Sequence, residues 1–89
     1  FVRFSMPGED ERRRLWLAAF PVDPAPLDSP VLADALARYE LSGRAIVGAV
    51  HTATLAALDE GAANLTLGHA LRGVQKEIEK EGRVFQALE

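Results

Sequence analysis

Eighty-nine residues, 48% of them hydrophobic and 26% charged, make one small globular domain with a single core rather than a disordered chain. A formal net charge of -3 offers no general attraction to nucleic acid or anionic lipid, and the absence of cysteine excludes a disulfide framework and a cysteine-ligated zinc site. No apolar run approaches the roughly 18 residues of a membrane helix and no signal-peptide pattern opens the chain, so a reduced, cytoplasmic setting without membrane contact is expected. The chain begins at Phe1 and its one methionine is Met6, which reads as a fragment of a longer protein.

In chain order, Val2 to Phe4 alternates apolar, charged, apolar and reads as a short strand with no partner inside the chain. Pro7-Gly8 interrupts it. A first helix is predicted from about Glu9 to Phe20, with Glu9 to Glu11 at the end where the macrodipole favours acids and Leu15, Trp16, Ala19 and Phe20 recurring on one face. "PVDPAPLD", with three prolines in eight residues, reads as an extended connector. Ser29-Pro30 reads as a cap followed by proline at the first helical position, opening a helix whose inner face carries Val31, Leu32, Ala35, Leu36 and Tyr39.

Ser42 caps a third, long helix with an apolar stripe of Ile46, Val47, Val50, Ala53, Thr54, Ala57 and Leu58, which Gly61 ends. Thr66 caps a fourth, carrying Leu67, Ala70, Leu71, Val74 and Ile78 inward. Gly82 is its natural stop, with Lys76, Lys80 and Arg83 near its C-terminal carbonyls. The fold class is all-α: four helices over 9–84, a remnant strand and linker over 1–8, and a tail over 85–89. There is no internal repeat and no low-complexity tract.

The residues that could carry chemistry mostly have plainer explanations. His51 and His69 stand on different helices with no third ligand at metal spacing, so no zinc site is expected; His51 reads as partly buried and His69 as exposed. Glu9, Asp10 and Glu11 beside Arg12 to Arg14 read as a solvated face, the alternative being that one of the three arginines meets a neighbouring subunit or a phosphate. Asn64-Leu65-Thr66 matches a glycosylation acceptor but reads as a loop ending in a cap. "LADALARYELSGRAIVGAV" has the cadence of a helix-turn-helix. Its second helix, however, presents Arg44, Ala45, Gly48, His51 and Thr52, a poor set for base edges and phosphates, so no nucleic acid partner is expected.

Three stretches together resemble the C-terminal helical lid of AAA+ ATPases, in the bacterial branch similar to the classical AAA group. "VRFSMPGEDERRRLW" resembles the end of the ATPase core leading into the lid, "LADALARYELSGRAI" the Ser-Gly turn that opens the lid's third helix, and "NLTLGHALRGVQKEIEKEGR" its last helix. The likeness covers about residues 2 to 84.

The resemblance implies a four-helix lid that closes over ATP, with Mg²⁺ held by a core domain this chain lacks. Gly43 matches the small residue whose backbone approaches adenine or ribose. Arg44 matches the sensor 2 position, which reaches the γ-phosphate in many AAA+ proteins; the classical branch usually carries alanine there, and Arg44 departs from it. Ala19 matches a position flanking adenine. The implied partners are the core of the same chain, adjacent subunits of a ring and a remodelled protein substrate. With no G-x-x-x-x-G-K-[ST] loop, no acidic pair for Mg²⁺ and no catalytic glutamate, the chain alone is not expected to hydrolyse ATP. A stand-alone helical interaction module is the alternative from a different class.

Overall fold

Capping residues and prolines set where this chain can be helical, and the computed structural model, which describes residues 7–83, follows them closely. It is all-α: α1 (Glu9–Ala19), α2 (Ser29–Leu36), α3 (Gly43–Glu60) and α4 (Leu67–Lys80), with no strand among the described residues. The expected strand at Val2 to Phe4 and the tail at 85–89 lie outside those residues.

α1 places Glu9, Asp10 and Glu11 in its first turn. It closes one residue earlier than the sequence pattern suggests, because Phe20 precedes Pro21 and takes extended backbone angles while its N–H still reaches the Trp16 carbonyl. The proline segment is more than an extended connector. It turns at Asp23 and Pro24, buries Pro24 and Pro26, and folds back so that Pro26 forms a parallel bridge with Leu65. Leu65 N–H and Asn64 Nδ2 both donate to the Ala25 carbonyl, which gives Asn64 a structural part as an anchor of the loop before α4.

α2 corrects the sequence reading by one position. Asp28, not Ser29, is the cap, its Oδ1 accepting from Val31 N–H, so that Ser29 is the first helical residue and Pro30 the second. Proline is tolerated there because none of the first N–H groups has a partner inside the helix. Ser42 caps α3 as expected, accepting from Ala45 N–H at 3.1 Å. Gly61 ends α3 in the left-handed region at φ 69°, with Ala62 N–H returning to the Ala57 carbonyl and Gly61 N–H to that of Leu58. Gly82, at φ 75°, closes α4 in the same manner through Arg83 N–H to Ile78 and Gly82 N–H to Glu79. The cations near that end also find side-chain and loop partners: Lys80 pairs with Glu77, and Arg83 with Glu81 and the Glu40 carbonyl.

α3 is the centre of the fold, with α4 on one side and α1 on another. Trp16, Leu36, Leu41, Ile46 and Val74 are the large fully buried side chains of the core. The buried arc of α3 runs along Ala45, Ala49, Ala53 and Ala57 with Ile46 and Val50, so Val47 and Leu58, expected inside, are about 60% exposed. Val31 of α2 and Leu67 of α4 are outside as well. Small residues take the inner positions because α4 comes too close for anything larger. A Cβ built on Gly73 would fall onto the Ala49 carbonyl, with Ala49 Cα only 2.9 Å away.

Candidate functional site

The N-terminal end of α3 collects the sequence-predicted residues. Ser42 fixes the entry by holding Ala45 N–H with its hydroxyl and Ile46 N–H with its carbonyl. The first of these bonds satisfies one of the amides that an α-helix leaves open at its start, the second is the helix's first regular bond, and the amides still open carry the positive end of an 18-residue helix. Gly43 follows, half-buried against α1, where an added Cβ would meet Leu15 Cδ1 at 3.7 Å, an ordinary contact. Its φ is not positive, so nothing in the described fold itself demands glycine at this position. Arg44 is exposed and makes no hydrogen bond or ion pair with the described residues.

Ala19 stands one turn after Leu15 on α1 and lines a 310 Å³ groove with Pro21, Val47, Val50, His51 and Thr54. Gly43 and Ala19 therefore belong to one seam between α1 and α3. Arg44, Val47 and His51, at spacings of three and four, share one exposed face of α3 beside that seam. An anion could approach here without displacing any internal partner of Arg44, and the groove offers an apolar wall to a planar group. Among the described residues no group of three or more His, Cys, Asp or Glu side chains is placed to hold a metal ion.

The three arginines of α1 form the expected solvated face only in part: Arg14 is exposed and Arg13 lies at the surface. Arg12 is buried, donating from Nε to the Ala37 carbonyl at 2.8 Å and from Nη1 to the Pro7 carbonyl at 2.6 Å. Arg13 pairs with Asp34 on α2, and none of the three pairs with Glu9, Asp10 or Glu11 among the described residues. Arg12 is thus a buried tie between α1 and the end of α2.

The two histidines exchange the places expected for them. His51 is exposed on α3, and His69 is 4% exposed in the first turn of α4. His69 Nδ1 lies 3.0 Å from both the Thr66 backbone nitrogen and Thr66 Oγ1, while its own N–H donates to that hydroxyl. This is a capping box with histidine where glutamate or glutamine is usual. The Thr-x-x-His spacing carried the signal. On the other side of the ring Nε2 meets Glu60 Oε1 at 3.0 Å, and Arg72 Nη1 donates to Glu60 Oε2 at 3.0 Å. The hydrogen bond from His69, helped by the charge of Arg72, holds the Glu60 carboxyl below its ordinary value.

No protein-family model matches this chain, and no curated protein matches it. No helix of the described residues is long and apolar enough to cross a membrane.

Proposed function

We propose that this chain is the C-terminal helical lid of an AAA+ ATPase, binding ATP together with a core domain and passing the motion that follows hydrolysis to an adjacent subunit and a protein substrate. The observation that carries the reading is the start of α3: an open, capped helix end with an unpartnered Arg44, next to a seam where Gly43 leaves backbone accessible and Ala19 borders a groove. The positive helix end and the guanidinium favour a phosphate group, and the groove suits the base or ribose.

ATP supplies the phosphoanhydride that is cleaved. The part of this chain would be to fix a positive charge, Arg44, where negative charge develops on the transferring group, and to exclude water along the Gly43 and Ala19 seam. No side chain here replaces a phosphate-cradling loop or Mg²⁺ ligands, and those functions would fall to the core. The exposed apolar residues Val47, Leu55 and Leu58 on the outer face of α3 favour a second reading, a helical interaction module that works without nucleotide.

Two measurements separate the readings. Under the lid reading, the gene upstream of the Phe1 codon encodes a G-x-x-x-x-G-K-[ST] loop within about 130 residues, the size of one further domain. In that full-length protein, Arg44→Ala lowers ATP turnover about a hundredfold with a smaller loss of nucleotide affinity. Unchanged turnover removes Arg44 from the site. The chain alone, titrated with ATP in a calorimeter, gives no measurable heat of binding.

A further inference from the structure

The ring of His69 is boxed by groups whose chemistry is not interchangeable. The Thr66 backbone nitrogen can only donate, so Nδ1, 3.0 Å away, is an acceptor and carries no proton. The Thr66 hydroxyl, also 3.0 Å from Nδ1, can point its hydrogen the same way. The ring proton is then on Nε2, where it faces the carboxylate of Glu60. A second proton has only one place to go. On Nδ1 it meets the Thr66 N–H donor to donor and that bond opens, the Thr66 hydroxyl turning to accept instead, while the Glu60 contact on Nε2 gains charge and tightens.

We propose that His69 is a protonation-sensitive latch on the turn between α3 and α4, holding the Thr66 backbone N–H and Glu60 when neutral and releasing that N–H, but not Glu60, when charged. Glu60, the last residue of α3, is the titratable group that faces the ring from that helix. From α4 Arg72 holds the other Glu60 oxygen. On the α2 side Asp28 lines the same 240 Å³ groove as Thr66, and its carboxylate is engaged with Val31 N–H.

Glu60 does not confuse the response. Because its folded value is lowered, the stability it contributes is fully present above the ordinary carboxyl value of 4.5 and is lost only as pH falls through the lower folded value. The Glu60 arm therefore stays closed above that ordinary carboxyl value.

The test is a nuclear magnetic resonance titration of the ¹⁵N-labelled 89-residue chain, with the exposed His51 ring as internal reference. In the neutral ring the His69 nitrogens show a proton on Nε2 and none on Nδ1. As the ring takes its second proton, exchange of the Thr66 amide, corrected for intrinsic pH dependence, accelerates about fivefold, the equivalent of a capping bond of about 1 kcal/mol. The Ala45 amide, held by Ser42, does not follow it. In His69→Gln the side-chain oxygen can still accept from Thr66 but cannot titrate, so protection remains and the step vanishes. A neutral ring with its proton on Nδ1, a Thr66 amide that ignores the His69 titration, a ring that stays neutral until the chain unfolds, or a step that survives in His69→Gln would each overturn the latch.

Discussion

The two sides of α3 are built on opposite principles. Toward α4 the helices touch backbone to backbone: Gly73 leaves no room over Ala49, the Glu77 carboxylate lies across Gly48, and the turn between the helices is closed by Thr66, His69, Glu60 and Arg72. Toward α1 the seam is loose. Gly43 is separated from Leu15 by an ordinary contact, a groove runs past Ala19, and Arg44 stands in solvent. A glycine on the first side is a packing requirement, whereas on the second the fold does not explain it. That contrast separates residues that build this domain from residues it leaves available to something else.

The largest expected effect tests the closed side. Gly73→Ala puts a methyl onto the Ala49 carbonyl, and since a backbone atom cannot swing away, the two helices must separate. A loss of about 3 kcal/mol is expected, read as a lowered urea midpoint. The matched change Gly48→Ala presses only on the Glu77 carboxylate, the far end of a flexible side chain, and costs clearly less. Equal losses for the two variants would mean that α3 and α4 are not in backbone contact at Gly73.

Next in size is the fastening of α1. Its seam with α3 is loose, and it is tied at its other end by Arg12, whose guanidinium holds the Ala37 and Pro7 carbonyls. Arg12→Ala leaves the buried Ala37 carbonyl without its side-chain donor and is expected to cost about 2 kcal/mol. Arg12→Lys recovers only part, because an ammonium cannot copy the planar spread of donors. Arg14→Ala, an exposed neighbour, stays within about 0.5 kcal/mol of the unchanged chain.

The helices were legible because their limits are set locally. Ser42, Gly61, Thr66 and Gly82 act through groups within a few residues, and all four stand where the sequence puts them. What was hidden depended on partners distant in sequence. Arg12 reads as one of three solvated arginines until Ala37, twenty-five residues on, supplies a buried acceptor. His69 reads as exposed until Glu60 closes over its far nitrogen. Periodicity also put Val47 and Leu58 inside and left out Ala45 and Ala49, since hydrophobicity favours larger side chains while close helix approach favours smaller ones. Of the candidate site, the cap, the glycine and the arginine were legible as a helix start. Their shared seam with Ala19 was not, because it depends on how α1 crosses α3.

The smallest effect is the most informative about the open side. In the chain alone, Gly43→Ala removes a flexible residue from the first turn of α3 and adds a methyl 3.7 Å from Leu15 Cδ1, so stability should rise by about 0.5 kcal/mol. If the lid reading holds, the same methyl in the full-length ATPase occupies the space where nucleotide meets backbone, and ATP affinity falls. A residue kept as glycine for packing gives losses in both measurements; one kept for a ligand gives a gain in the first and a loss in the second. Destabilisation of the isolated chain would show that the α1 seam is as demanding as the α4 side, and the contrast between the two faces of α3 would collapse. A gain in stability with unchanged ATP affinity would leave the contrast standing and remove Gly43 from the nucleotide site.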